Sequence, residues 1–177
     1  MIRSGRQLII PLYGKEVVGL DLAQIGLVMT VATVLDVAMF VPAGLLMDRF
    51  GRKVAAVPSF AVMAVGVGLI PLATDYAGLM LAAMVIGFGN GLGSGTMMTL
   101  GADLAPPEAA GEFLGLWRLV GDAGAVGGPL IVGAMAVTFG LEGSAYALAA
   151  IGAAAALTLG LLVRETRQSP LDQPATA

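Results

Sequence analysis

The chain contains no cysteine and no histidine. Those two absences remove thiol nucleophiles, disulfides, the usual zinc sites and Ser-His-Asp triads. Charge is also scarce: Asp, Glu, Lys and Arg make up 12% of 177 residues, and aromatic residues 6%. A soluble domain typically devotes about 25% of its residues to charge, so this chain has too little to coat a water-facing surface. Net charge is only −3 and no basic tract occurs, so no nucleic-acid partner is expected. No glycine loop ending in Lys-Ser/Thr is present to cradle a phosphate, and the carboxylates lie in or beside apolar runs. An enzyme is therefore not expected, and neither a metal nor an organic cofactor is implied.

What is abundant is apolar side chains, at 58%, and glycine, at 26 residues. Six apolar segments can be traced, over about 1–19, 22–47, 54–72, 77–100, 112–138 and 143–163. The later ones are long enough to cross a hydrocarbon core of about 30 Å at about 1.5 Å per residue. The first resembles the later part of a longer helix. Its opening, "MIRSGRQLIIPLYG", imitates a signal peptide but holds a proline and lacks a small-x-small cleavage site. Strands are excluded because the runs are apolar on every face rather than alternating. The expected fold is an all-α membrane protein, a six-helix transmembrane bundle over 1–163 with a truncated first helix. A polar tail over 164–177 is expected to be disordered.

Short connections make successive helices antiparallel neighbours. Arg49, Arg52, Lys53, Arg164 and Arg167 then gather at one side of the membrane, against Lys15 at the other. By the positive-inside rule the first group, and with it the C-terminus, is cytoplasmic. The expected location is the cell (inner) membrane, with lipid as a partner. Glycine is dense in "GFGNGLGSG" (87–95) and "GDAGAVGGP" (121–129), where small residues let helix backbones approach in lipid.

The stretch "GLLMDRFGRK", Gly44 to Lys53, concentrates Asp48, Arg49, Arg52 and Lys53 between the second and third segments. Topology alone accounts for Arg49 and Lys53, but not for Gly44, Asp48, Gly51 or the spacing. The stretch resembles the loop signature G-x-L-x-D-R-x-G-R-K of the major facilitator superfamily, at the same helix boundary. In the fifth segment Gly115, Gly124, Gly128, Pro129 and Gly133 resemble the pattern G-x8-G-x3-G-P-x2-G-G of that superfamily's proton-coupled drug antiporters, with Val132 in place of one glycine. The resemblance covers nearly the whole chain. It implies that Asp48 and Arg52 hold the cytoplasmic side shut in the outward-open state. Arg52 would pair with Asp103 of "LGADLAPPE", and Asp48 would face a helix N-terminus of the opposite half. The basic residue usual before a glycine after the fourth helix is missing from "EAAGEF".

Family members have twelve helices, so six imply half a carrier. The loop and fifth-helix patterns point to a first half. The chain's end after the sixth segment, "RSGRQLIIPLYG" and "GNGLGSGTMMTLGADLAPPEAAGEFLGLWRL" point to the C-terminal half, which is the expectation here. The partners implied are the other half or a second copy, a small-molecule substrate, and protons.

Five ionisable residues are expected within the bilayer rather than at its faces: Arg3, Arg6, Asp36, Arg118 and Asp122. Such residues are costly in a bilayer and mark functional sites by default. Helical rise puts Arg6 about 18 Å and Asp36 about 21 Å below the outer face, and Arg118 and Asp122 about 9 and 15 Å above the inner one. They thus share one layer near mid-depth, where carriers of this type bind substrate. Arg6 and Asp36 can pair between helices, and Arg118 and Asp122 are spaced i,i+4 on one helix face. Either set could simply fix helix register. A carboxyl group in a low-dielectric layer also holds its proton more tightly than one in water, which suits proton coupling. Asp122 is the first candidate and Asp36 the second. Asn90 and Trp117 could touch substrate or only pack. The expected function is secondary active transport, as proton-coupled efflux of small hydrophobic or amphipathic compounds. A non-transporting half-length fragment or assembly module is the alternative. A six-helix channel of the aquaporin kind is disfavoured because no Asn-Pro-Ala pair occurs.

Overall fold

The structure, a computed structural model, describes residues 1–162. The polar tail, with Arg164 and Arg167, lies outside the described residues. Every regular element among the described residues is helical. In order these are α1 (Ile2–Glu16), α2 (Leu22–Ala38), α3 (Phe40–Phe50), α4 (Arg52–Leu69), α5 (Tyr76–Leu92), α6 (Thr96–Leu104) and α7 (Ala110–Leu161). Short 3-10 turns at Ile70–Leu72 and Pro107–Ala109 complete the path.

Local chemistry sets the ends. Asp21 caps α2: its carboxylate accepts from the Gln24 N–H at 2.8 Å, and the Gln24 amide oxygen accepts from the Asp21 N–H at 3.0 Å. This reciprocal pair satisfies two otherwise orphaned donors. Asp75 caps α5 through the Gly78 N–H at 2.8 Å.

The interior breaks differ from the apolar segmentation. The run over 22–47 is two helices. Pro42 has no N–H for the Ala38 carbonyl, and its ring crowds that turn, so α2 stops at Ala38. The Met39 N–H is shared between the Leu35 and Asp36 carbonyls, at 3.2 Å each. The expected loop at 48–53 shrinks to one residue. α3 continues to Phe50 and α4 begins at Arg52, leaving Gly51 at φ 102°, a conformation that favours glycine. The run over 77–100 parts at Gly93–Gly95 into α5 and α6. The expected fifth and sixth segments are joined in α7, which is broken only at Gly140 (φ 71°, ψ −179°). The buried Ser144 hydroxyl spans that break, lying 3.0 Å from both the Val132 and Gly140 carbonyl oxygens.

Among the described residues four stretches, Leu22–Phe50, Arg52–Leu72, Tyr76–Leu104 and Pro107–Leu161, are long and apolar enough to cross a membrane. α1, at 15 residues, is shorter. α4 packs between α5 and the second arm of α7, α2 lies on α5, and α1 lies on both arms of α7. The core gathers Ile9, Ile10 and Tyr13 of α1, Val28 and Ala32 of α2, Met63 and Val67 of α4, Leu79 and Ile86 of α5, and Val132 and Leu148 of α7. Tyr13 donates its hydroxyl to the Pro71 carbonyl at 3.2 Å, tying α1 to the end of α4. Large apolar side chains also cover the outside. Leu27, Val34, Leu116, Leu119 and Leu130 are exposed, and Val137 is 91% exposed. So wide an apolar exterior belongs against acyl chains or another protein surface.

The α2–α5 seam is set by glycine. A methyl group built on Gly87 would run into the Ala32 carbonyl, and one on Gly91 into the Asp36 carbonyl and the Met39 side chain. Gly87→Ala or Gly91→Ala is expected to destabilise by about 1–3 kcal/mol, the usual cost of overpacking. Gly26→Ala on α2, with open space around it, is expected to be neutral or stabilising by up to about 1 kcal/mol. Thermal unfolding of the detergent-solubilised protein compares them; equal losses at Gly26 and Gly87 would refute the close seam.

Candidate functional site

The polar layer is assembled by α1, α2, α4 and α5. Asp36, in the last turn of α2, is only 7% exposed. Its Oδ2 accepts from the Arg6 guanidinium at 3.1 Å and from the Asn90 amide at 2.6 Å. Three helices thus converge on one carboxylate oxygen. The glycine seam makes this possible: Gly87 and Gly91 bring α5 onto α2 and so set Asn90 beside Asp36. Removing Arg6 or Asp36 alone would strand a buried charge, which costs far more than an intact pair contributes.

The cluster is not closed. Asp36 Oδ1, Asn90 Oδ1 and Arg6 Nε are buried, and among the described residues none has a hydrogen-bond partner. Two acceptors and one donor therefore stand unmet around a single carboxylate. In a water-poor interior each carries a desolvation cost, so the cluster is chemically equipped to take a hydroxyl, a water or a proton.

Arg3, one turn before Arg6, turns to another wall. Its Nη2 donates to the Gly93 carbonyl at 2.9 Å and lies 3.4 Å from Ser59 Oγ, and its guanidinium sits 5.5 Å from the Phe60 ring centre. Ser59 donates in turn to the Gly89 carbonyl at 2.7 Å. Composition gave little sign of Ser59. The available signal was a hydroxyl beside Pro58 in an otherwise apolar helix, opposite a glycine-rich one.

Arg118 and Asp122 differ from this cluster. Both are exposed on the first arm of α7, and among the described residues no ion pair joins them. The i,i+4 spacing puts them on one face, but a shared face alone does not bring the two side chains into contact. The fifth-segment pattern is divided. A methyl on Gly128 would strike the Met1 carbonyl, Ser4 Oγ and Gly5 N–H of α1, and Gly124 also borders Met1, whereas Gly115 and Gly133 face open space. Pro129 leaves the Ala125 carbonyl without its helical donor. Trp117 packs: its indole N–H donates to the Met97 carbonyl at 2.9 Å, its ring covers Gly101, and Phe113 stacks on it at 6.0 Å.

At one end of the bundle Arg52 Nε donates to Asp103 Oδ2 at 2.9 Å, linking the start of α4 to α6. The two side chains are 23% and 25% exposed, so the bond is worth roughly 0–1 kcal/mol. A contact of that strength can open and close. Asp48 is exposed, Arg49 lies over the Phe50 ring at 5.6 Å, Gly44 has open space around it, and Lys53 is half-buried.

An apolar helical exterior around a buried ionic cluster defines a multi-pass membrane protein. Residues 1–177 match the family model of the Major Facilitator Superfamily; the chain belongs to that superfamily. It is also similar to the arabinose-proton symporter of Bacillus subtilis (strain 168), 32% identical over 76 residues. That region is 43% of this chain, and the chain spans 16% of the relative's length.

Arg6→Leu and Asp36→Leu are each expected to destabilise by about 3–5 kcal/mol, and the double variant to recover most of the loss. Thermal unfolding of the three proteins checks this. Additive losses would mean that the two charges do not depend on each other.

Proposed function

We propose that this chain is one six-span half of a secondary active carrier, moving a small molecule by alternating access with proton coupling. The spans are α1, α2 with α3, α4 with its 3-10 turn, α5 with α6, and the two arms of α7. The observation that carries the reading is the buried Arg6–Asp36–Asn90 cluster inside a superfamily chain. Proton uptake by Asp36 releases the Arg6 guanidinium. α1 then loses its charged tie to α2 and α5, and the exchange of this tie for substrate couples the two fluxes. The contacts that converge on Asp36 from two other helices make it, rather than the exposed Asp122, the carboxylate assigned to the coupling step. A relative named as a proton symporter supports the coupling ion; the fifth-helix glycines support drug-type efflux.

The Arg52–Asp103 bond is the inner-face latch in this reading, beside Asp48, Arg49 and Lys53. Basic residues at that end, against Lys15 at the other, support a cytoplasmic side there, shared with the C-terminus, in a cell-membrane protein. The exposed apolar faces of α2 and α7 receive lipid and the second half, supplied as another six-helix unit or a second copy. The family is one of transport proteins rather than enzymes. The alternative, a non-transporting module, keeps the same contacts and predicts no proton-linked flux.

Membrane vesicles with an imposed pH gradient test this reading against a panel of labelled amphipathic compounds. Wild type is expected to move at least one compound. Asp36→Asn is expected to lose gradient-driven accumulation while keeping exchange down a concentration gradient. Unchanged accumulation in Asp36→Asn would remove Asp36 from the proton step. For the latch, Arg52→Asp and Asp103→Arg are each expected to lower transport severalfold and the double swap to restore it, as initial rates would show.

A further inference from the structure

The described spans carry more embedded positive than negative charge, and the excess has a location. Three guanidinium groups, Arg3, Arg6 and Arg118, stand against two carboxylates, Asp36 and Asp122. Asp36 is taken by Arg6. Arg3 is most of the way out of solvent, yet its hydrogen bonds go to neutral acceptors, a carbonyl and a hydroxyl. Both bonds leave through Nη2, and Nε is buried without a partner among the described residues. A guanidinium at membrane depth with no ion pair among the described residues is a costly arrangement.

Arg3 also borders a cavity of about 630 Å³. Ser4 and Gln7 line it from the same helix, and Phe60, Met97 and Val120 supply apolar walls from α4, α6 and α7. The volume lies in the range of about 300–1,000 Å³ typical of small-molecule sites, which combine apolar walls with a few convergent polar groups. Asp122 is not among the lining residues. The polar end of the cavity therefore presents the Arg3 guanidinium, a hydroxyl and an amide, with the Met1 amino group at the same border adding positive rather than negative charge.

We infer that this cavity binds the anionic end of an amphipathic molecule, a carboxylate or similar oxyanion carrying a compact apolar or aromatic body, with Arg3 as its counter-ion. The planar fork of Arg3 suits an oxyanion's paired oxygens. Phe60, already against the guanidinium, can hold a ring beside it. That the ligand is cargo rests on the carrier reading above; that it binds does not.

Trp117 supplies the readout. It is the chain's single tryptophan, and its indole is hydrogen-bonded to the carbonyl of the cavity-lining Met97. Benzoate, benzyl alcohol and benzylamine, which share a ring and differ in charge, are titrated into the purified full chain while Trp117 fluorescence and thermal stability are followed. Benzoate is expected to bind at least about tenfold more tightly than benzyl alcohol, as a charged hydrogen bond requires, with benzylamine weaker still. Arg3→Gln is expected to abolish the preference for benzoate, and Arg3→Lys to keep part of it. Should Arg3→Gln not fold, Ala125→Phe, which fills the cavity from α7, tests the same site with Arg3 in place; loss of benzoate binding there supports the inference. Binding that ignores probe charge, a preference for benzoate that survives Arg3→Gln, benzoate binding that survives Ala125→Phe, or no binding of any probe would overturn it. A chain that binds benzoate but shows no proton-linked flux would keep the site and lose the carrier. A chain with that flux and no response to benzoate would keep the carrier and lose the site.

Discussion

The structure depends on how a carboxylate is kept inside a lipid-facing bundle. Asp36 is almost wholly out of solvent, and a carboxylate so placed depends on neutralisation and hydrogen bonds from its surroundings. Its Oδ2 draws Arg6 from α1 and Asn90 from α5. α5 can reach only because Gly87 and Gly91 have no side chains to collide with the α2 backbone. In lipid, apolar contact alone gives helices little reason to prefer one another over acyl chains. Close backbone approach and a shared polar cluster supply that reason.

The helices that hold Asp36 and Asn90 are both interrupted just downstream. α2 stops two residues beyond Asp36, and α5 stops two residues beyond Asn90. The first break follows from Pro42, the second from the glycines at 93 and 95. Charge chemistry and backbone weakness therefore sit at the same level of neighbouring helices. Any change in the contacts of Asp36 would therefore act where the surrounding backbone can respond, a juxtaposition that suits the carrier proposed above.

Much of this was legible in the sequence. Segments apolar on every face, with rare charges, could only be lipid-embedded helices, and a fixed rise per residue was enough to bring Arg6 and Asp36 to one depth. Asn90 as their third partner was not legible, because its place depends on the α2–α5 seam, a tertiary fact. The Arg118–Asp122 spacing suggested a pair, yet spacing fixes only a shared face, which does not by itself bring two side chains into contact. The charged stretch at 48–53 read as a loop because loops usually carry such residues. A single glycine with positive φ made the turn instead, leaving Arg52 as the first residue of α4 and within reach of Asp103.

Gly140 and Ser144 have a consequence of their own. A glycine that reverses a chain would ordinarily be a free joint, but here one hydroxyl proton is shared between carbonyls on either side of the reversal. The two arms of α7 are clamped at their junction, and α1 lies against both. These three rods form one stiff unit, which leaves the broken rods across the bundle, at Met39 and Gly93, as the places where it can bend.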